Sequence, residues 1–263
     1  STGDQLVTLT WNQNTDTNFD KYYIYGDTVS GPVIKVDSTV SISDTTKIID
    51  DLVNGITYYY RLTTVDTLGV EGEFSDQVSV VPEYQGPAWH VSKSGSDSNE
   101  GSLNSPFLNI QTAIDAASAE DTVFINSGTY SQETISIDKS IVLIGDSTNK
   151  PIITSTDDNY IINISTNSAM LTAKYLQFEN FSGTAIYSGV SPSLADFMFC
   201  EFYNLGYGID LPSTNTTISN CIFRNCGYGI KGKPTVNNSI FDQCDYGIWA
   251  DYYVYVNNSI ITN

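Results

Sequence analysis

The sequence is poor in the residues that build metal and thiol chemistry. Its 263 residues include one histidine, His90, and four cysteines. A single histidine argues against histidine-rich metal sites and against most catalytic triads. Four cysteines are too few for a disulfide scaffold in a chain of this length. His90 is expected to be a partly buried strand residue, because no cysteine or second histidine lies near it in the sequence.

Basic residues and long apolar runs are also scarce. The chain has 11 lysines and arginines against 30 acidic residues, which gives a net charge of −19. Such a surface repels nucleic acid and anionic membranes, so neither is an expected partner. It suits a soluble, secreted protein that is extracellular or attached to the cell surface. No run of about 18 apolar residues predicts a membrane-spanning helix. No secretion signal opens the chain, which predicts that it is absent or already removed.

Residues that favour strands are abundant, and long helix-forming stretches are nearly missing, which predicts an all-β protein. Residues 1–84 contain short alternating segments such as "LVTLTWN" (6–12), "KYYIYG" (21–26) and "TYYYRLTTVD" (57–66). Glycine-containing turns separate them. Several short strands at roughly ten-residue spacing predict a β-sandwich, with Trp11 in its core.

A sharper motif lies at "LVNGITY", residues 52–58. It resembles the tyrosine corner of Greek-key sandwiches, in which the Tyr58 hydroxyl would bond to upstream backbone. With Trp11 and the last strand "DQVSVVP" (76–82), residues 1–84 resemble a fibronectin type III domain, a spacer or adhesive module without chemistry of its own. The usual first strand is not matched. The sheet edge at this position is open, or another segment completes it, or the strand is missing from the fragment.

Residues 85–88, "QGPA", form a short linker, and residues 89–263 make a second domain. In "NIQTAIDAAS" (109–118), apolar residues recur at the spacing of an amphipathic helix. With the strand "DTVFINSGTY" (121–130) after it, the region 89–130 resembles the N-terminal cap of pectate-lyase-like right-handed parallel β-helices. In that family the helix covers the open end of the coils.

The cap contains one candidate metal site, the loop "DSNEGS" at 97–102. Asp97 and Asn99 alternate before a glycine, as in the first half of a calcium loop. No acidic residue follows at the spacing of the bidentate ligand, so a loop rich in Asx turns is the alternative. No cofactor is required, and calcium is the one metal that the sequence suggests.

Residues 131–263 carry an internal repeat, seen in "CEFYNLGYGI" (200–209), "CIFRNCGYGI" (221–230) and "SIFDQCDYGI" (239–248). The repeat predicts about six coils of a right-handed parallel β-helix with no C-terminal cap. An uncapped end, like the incomplete sandwich edge, is a surface for self-association. Two structural ladders are predicted: an inward aromatic column of Phe178, Phe202, Phe223 and Phe241, and a corner amide column of Asn180, Asn204, Asn225, Gln243 and Asn263. Tyr207, Tyr228 and Tyr246 are also in register.

The cysteines belong to two predicted columns, Cys200 over Cys221 and Cys226 over Cys244. Neighbouring strands are about 4.8 Å apart, whereas the Cβ atoms of a disulfide are about 3.5–4.5 Å apart. Buried free thiols are the favoured interpretation, and a bridged pair is the alternative. Zinc is not expected, because no CxxC motif or histidine accompanies the cysteines.

The resemblance to pectate-lyase-like proteins implies a second functional hypothesis, a polysaccharide lyase. In such lyases an arginine or lysine abstracts a proton beside calcium and acidic residues. The candidates are Arg224 with Asp242, and Lys231 with Asp210. Outward ion pairs between coils are the alternative reading of both. The acid cluster of such lyases is not visible, so no catalytic residue is transferred.

Exposed aromatic residues suggest binding of carbohydrate or of a protein partner. The candidates are Trp249, Tyr252, Tyr253 and Tyr255, which coil packing could also explain. The leading hypothesis is an extracellular or cell-surface structural and adhesive protein, alone or as a subunit of a polymeric assembly. The alternatives are a lyase or other enzyme that acts on acidic polysaccharide, and a non-catalytic carbohydrate-binding module. The balance favours a protein that is not an enzyme.

Overall fold

The computed structural model describes residues 1–190, 194–250 and 253–262, with backbone alone at 212–215. The chain divides into two compact units, Ser1–Gln85 and Gly86–Asn263. Within the described residues, no helix is long and apolar enough to cross a membrane.

The first unit consists of two small antiparallel sheets that share an apolar core. Its strands are β1 (Thr2–Gly3), β2 (Leu6–Thr10), β3 (Phe19–Asp27), β4 (Lys35–Thr39), β5 (Thr46–Ile49), β6 (Tyr58–Asp66) and β7 (Val78–Val80). One sheet has the order β1-β2-β5 and the other β4-β3-β6-β7. Val7 and Leu9 of the first sheet pack against Ile24 and Tyr60 of the second, because alternate residues of each strand face inward. Trp11 is half-buried against this core, and the assignment to the fibronectin type III family stays a prediction.

The predicted tyrosine contact is confirmed. The backbone N–H of Val53 donates a hydrogen bond of 3.0 Å to the Tyr58 hydroxyl oxygen. The ring also packs against the core of the unit. Tyr58 therefore fastens the 52–58 turn to the sheet by both apolar and polar contacts.

A strand of two residues, β1, pairs with β2 at the edge where the sequence does not match the usual first strand of the family. Thr8 exchanges both backbone hydrogen bonds with Ser1, at 2.9 and 3.0 Å, and the described pairing on this side of β2 ends there. Farther along, β2 borders a cleft of about 500 Å³ that Trp11, Tyr60 and Val80 also line. This part of the sheet edge is open in the described residues.

The second unit is a parallel β-solenoid with one short helix. Its elements are β8 (Ala88–Val91), α1 (Ile110–Ala116), β9 (Thr122–Ile125), β10 (Thr129–Gln132), β11 (Ile135–Ile137), β12 (Ile141–Gly145), β13 (Ile152–Ser155), β14 (Tyr160–Ile164), β15 (Met170–Lys174), β16 (Gln177–Tyr187), β17 (Leu194–Met198), β18 (Glu201–Ser219), β19 (Ile222–Arg224), β20 (Tyr228–Asn237), β21 (Ile240–Asp242), β22 (Tyr246–Trp249), β23 (Tyr255–Asn257) and β24 (Ile260–Thr262). Each strand pairs in parallel with the strand one coil away, so equivalent residues form columns along about six turns.

The predicted cap helix is confirmed, with narrower bounds. Ile110, Ala113 and Ile114 of α1 are buried, as their spacing requires. Lys139 donates hydrogen bonds of 3.1 and 3.0 Å to the carbonyl oxygens of Ile114 and Ala117. A cation at this position satisfies carbonyl groups that the end of a helix leaves unpaired.

Residues with left-handed backbone conformation turn the coils. One column has positive φ angles of 53–55° at Asn180, Asn204, Asn225 and Gln243. A second column, at 46–57°, comprises Tyr175, Phe199, Asn220, Asn238 and Asn258. Asparagine tolerates this conformation better than most residues, which explains its repeated use. Two such corners per coil bound a strand of only a few residues.

The side-chain ladders follow the corners. Asn204 donates a bond of 3.1 Å to the amide oxygen of Asn180, and Asn225 donates one of 3.2 Å to Asn204. The predicted amide ladder is therefore confirmed over these three residues. Gln243 has the same left-handed backbone conformation as these asparagines, and Asn263 lies outside the described residues.

The predicted aromatic column fills the interior. The ring centroids of Phe178 and Phe202 are 5.1 Å apart, those of Phe202 and Phe223 are 4.5 Å apart, and those of Phe223 and Phe241 are 4.8 Å apart. All four side chains are fully buried. These separations are close to the spacing of neighbouring strands, about 4.8 Å, so the rings stack without tilting the coils.

Candidate functional site

The structure pairs the proposed catalytic bases with acids. Arg224 Nε lies 2.9 Å from Asp242 Oδ2, and Lys231 Nζ lies 3.0 Å from Asp210 Oδ2. In both pairs the partners occupy neighbouring coils, so the outward ion pairs that the sequence allowed are present.

The two pairs do not converge on one site. Arg224 ends β19, whereas Lys231 lies in β20, beyond the corner at Asn225. They therefore belong to different faces of the coil. Hydrogen bonds from Thr262 and Arg224 lower the pKa of Asp242, so this carboxyl remains ionised and bound to its partners.

Other charged residues near Arg224 are paired in the same way. Lys150 contacts Glu201, which also accepts a hydrogen bond of 2.9 Å from the Tyr203 hydroxyl. Burial and the neighbouring carboxylate raise the pKa of Tyr203 to about 12. This face of the described structure is a chain of ion pairs and hydrogen bonds rather than a group of unpaired acids and bases.

The candidate calcium loop is held by protein contacts. Asp97 Oδ1 accepts hydrogen bonds of 3.1 and 2.9 Å from the backbone N–H groups of Leu108 and Asn109. Burial raises the pKa of Asp97, but these donors outweigh it and lower the pKa overall. Asn99 donates a bond of 2.7 Å to the carbonyl oxygen of Pro106. These contacts are those of a hydrogen-bonded loop, and calcium binding here stays a prediction.

Metal-binding clusters are absent from the part of the chain that the structure describes: no three or more histidine, cysteine or acidic residues come together. His90 lies half-buried in β8, as predicted, and stacks on Phe124 with ring centroids 5.2 Å apart. Burial lowers the pKa of His90. Its neutral ring serves packing.

All four cysteines are buried free thiols, as predicted. The Cys226 thiol donates to the carbonyl oxygens of Phe202 and Arg224, at 3.6 and 3.5 Å. The adjacent Cys244 thiol and burial raise the pKa of Cys226, whereas the adjacent Cys226 thiol lowers the pKa of Cys244.

The tyrosines of the repeated "YGI" segment form an outward ladder, as their register predicts. Ring centroids are 4.5 Å apart for Tyr207 and Tyr228 and 4.7 Å apart for Tyr228 and Tyr246, with interplanar angles of 4° and 10°. Each face that stacks on a neighbour is closed to a ligand. The ladder therefore offers mainly ring edges and hydroxyl groups.

Trp249 differs from these tyrosines. Its ring is inclined by 77° to that of Tyr228 and by 85° to that of Tyr246. The indole is 42% exposed. An aromatic ring turned across a ladder can keep one face open, which makes Trp249 the strongest described candidate for stacking on a ligand.

Two of the remaining aromatic candidates, Tyr253 and Tyr255, lie in the described residues. Tyr255 is 68% exposed and pairs with Thr235, on a different part of the coil from Trp249. Tyr253 is 93% exposed in the connection between strands. Tyr252 lies outside the described residues. The structure thus separates Trp249 from Tyr255.

Sequence reasoning missed the second corner column. Asn220, Asn238 and Asn258 each precede a member of the inward Cys221, Ser239, Ser259 column, so the repeated pair "NC" or "NS" is a signal that could have revealed it. Next to this corner, Asn257 donates a bond of 3.0 Å to the amide oxygen of Asn237. Amide pairing therefore stabilises both corners.

Comparison with known proteins supports the architecture. The family described as "Right handed beta helix region" matches residues 160–263. Together with the stacked parallel coils, this match supports a right-handed parallel β-helix for the second unit. No curated protein is significantly similar to the chain in sequence.

Several solved structures share a similarity at low identity. A rhamnogalacturonan lyase is 14% identical, with a TM-score of 0.35 and coverage of 67% of this chain and 62% of that one. The family 28 exopolygalacturonase of Yersinia enterocolitica is 12% identical, with a TM-score of 0.37 and coverage of 91% and 62%. A pectate lyase from Erwinia chrysanthemi is 10% identical, with a TM-score of 0.27 and coverage of 92% and 74%. The chain spans 62% of the length of the first two.

Proposed function

We propose that this chain is a non-catalytic structural and adhesive module of an extracellular or cell-surface protein. The observation that carries the proposal is the pairing of the candidate bases Arg224 and Lys231 with acids on neighbouring coils. A proton-abstracting base must reach the substrate, whereas these cations are held in interstrand ion pairs. Their arrangement suits a rigid scaffold better than a catalytic centre.

The ladders support a mechanical role. Stacked phenylalanines and hydrogen-bonded corner amides repeat along the solenoid, so each coil stabilises the next. A stack of about six coils is roughly 30 Å long at the spacing of parallel strands. In this proposal the solenoid is a stiff rod, and the first unit is a fibronectin-type spacer.

The acidic composition supports an extracellular setting. A net charge of −19 favours solubility and repels anionic polymers over a distance of about 8 Å at physiological salt. Self-association through the edge of β2 would join copies of the chain into a polymer. Sedimentation of the intact native protein tests this part: monomers alone at high concentration would contradict it.

An assay of turnover tests the non-catalytic proposal. The protein is incubated with a panel of uronate polymers and calcium, and the absorbance of the unsaturated product is followed. We expect no product from the wild type. Product formation that Arg224→Ala or Lys231→Ala abolishes would overturn the proposal and assign the chain to the polysaccharide lyases.

A further inference from the structure

The exposed face of Trp249 belongs to an ordered column. The parallel register places Trp249 directly beside Lys231 of the preceding coil, and Lys231 beside Asp210 of the coil before that. Neighbouring strands are about 4.8 Å apart, so the column offers one side chain per coil along the solenoid axis. A ligand that follows this axis meets an indole and then an ammonium group, which the buried Asp210 carboxylate holds in place.

The ring angles orient the indole. Tyr228 and Tyr246 are parallel within 10°, and the indole stands at 77° and 85° to them. It therefore spans two steps of the tyrosine ladder, with its plane along the axis. A flat apolar surface next to phenol hydroxyls fits the two sides of a pyranose ring, whose C–H groups pack on an aromatic face while its hydroxyls bind polar groups.

Lys231 provides the accessible polar group of this column. Its Nζ atom lies 3.0 Å from Asp210 Oδ2, and its side chain is 39% exposed. Asp210 is only 9% exposed and its Oδ1 atom is buried, so this residue acts on a ligand through the ammonium group that it holds in place. An ammonium group donates hydrogen bonds to sugar hydroxyls.

The charges of the column define the class of ligand. Asp210 balances the positive charge of Lys231, and the whole chain is strongly acidic. A polyuronate would find no net positive charge here and would be repelled by the rest of the surface. An uncharged polymer pays no such cost.

We propose that the column of Trp249, Lys231 and Asp210, edged by Tyr228 and Tyr246, binds a neutral polysaccharide whose chain runs along the solenoid axis. The proposal rests on the non-catalytic adhesive function and names its ligand. Trp249 supplies the stacking surface, and Lys231, held in place by Asp210, donates hydrogen bonds to sugar hydroxyls.

Affinity electrophoresis of the intact chain in gels containing a neutral β-glucan, a neutral mannan or polygalacturonate tests the proposal. At least one neutral polymer should retard the wild type more than polygalacturonate does. Trp249→Ala should weaken this binding about tenfold or more, because the stacking surface is lost. Trp249→Phe should retain part of it. Tyr255→Ala removes an exposed aromatic ring on another part of the coil and should leave binding unchanged.

Three results would overturn the proposal: no retardation by either neutral polymer, equal binding by Trp249→Ala and wild type, or tighter binding of polygalacturonate. Circular dichroism of each variant shows whether the solenoid is intact. If Trp249→Ala does not fold, Trp249→Phe is the test: binding weaker than that of the wild type supports the proposal, and equal binding contradicts it. Cleavage of a polysaccharide would refute the non-catalytic function while leaving Trp249-dependent binding of neutral polymers in place. The two proposals can therefore fail separately.

Discussion

The interior phenylalanine column should carry much of the stability of the solenoid. Phe223 lies at its centre, fully buried between Phe202 at 4.5 Å and Phe241 at 4.8 Å. The ring also packs against Gly208, where an added Cβ atom would lie 2.9 Å from Phe223. We therefore expect Phe223→Ala to leave a cavity that the neighbouring stacked rings cannot fill.

The size of the effect follows from this rigidity. Replacing a buried phenylalanine by alanine costs about 3–5 kcal/mol, and sites that cannot collapse lie toward the upper end. We expect about 4 kcal/mol for Phe223→Ala. Phe199 stacks on Tyr175 at 5.1 Å but is 41% exposed, so Phe199→Ala should cost about 1 kcal/mol and is the matched control.

The assay is hydrogen exchange of the intact chain in increasing urea, read by mass spectrometry of peptides. Peptides separate the second unit from the first, which a single optical signal would not do. Phe223→Ala should lower the protection of the coils that contain Phe202 and Phe241. A loss below about 1.5 kcal/mol, or one equal to that of Phe199→Ala, would refute the idea that the ladder is a rigid stabilising column.

Three further predictions concern the corner amides, the thiols and the loss of stability at low pH. Asn204→Ala should lower the free energy of unfolding in urea by about 2 kcal/mol, because it loses the amide hydrogen bonds and strains the backbone at φ 54°. Asn204→Gly should lower it by about 1 kcal/mol, because glycine adopts this φ without strain and loses only the amide bonds; equal costs would contradict this. Iodoacetamide at pH 8 should modify Cys244 before Cys226 in the native chain, because Cys244 is 5% exposed against 2% for Cys226 and its pKa is lowered; peptide mapping that finds Cys226 modified first would contradict this. The pKa of Asp242 is lowered in the folded state, so its stabilising contribution is present above the unfolded pKa of about 3.9 and is lost as pH falls through the lower folded value. Asp242→Asn should therefore flatten the fall in melting temperature below about pH 4, and an unchanged slope would exclude a role for this pair.

The features that the sequence predicted well are those that repeat. Phe202 and Phe223 occupy the same place in successive coils, and so do Asn204 and Asn225, because one strand geometry recurs at each step. Repetition turns a weak local pattern into a reliable one. The interior, the amide corner and the tyrosine register could all be inferred in this way.

The candidate site was less predictable, because its features occur only once. The orientation of Trp249 depends on how one side chain leaves the ladder of Tyr228 and Tyr246, and no repeated pattern encodes that angle. Asp97 provides a second case. Its spacing suggested half of a metal loop, whereas its contacts with Leu108 and Asn109 join residues eleven and twelve positions apart, which local sequence does not specify.

The coils differ in length, and most of the difference lies in one set of connections, which we call the seam of the solenoid. Successive coils advance by 24, 21 and 18 residues between Phe178, Phe202, Phe223 and Phe241. Ala195, Thr216 and Pro234 begin in-register segments that each reach the next phenylalanine after seven residues. Most of the difference in length therefore falls in the connections that follow β16, the Leu211 bulge of β18 and Gly232.

These connections start just after the column of Asp210, Lys231 and Trp249. Insertions can lengthen the wall beside that column without shifting a corner or an interior ring. Grafted loops at this seam should change the polymer preference that we propose for the Trp249 column while leaving the scaffold intact. The repeated coils thus provide a frame of constant geometry, and the connections beside the column provide positions at which the proposed specificity can change.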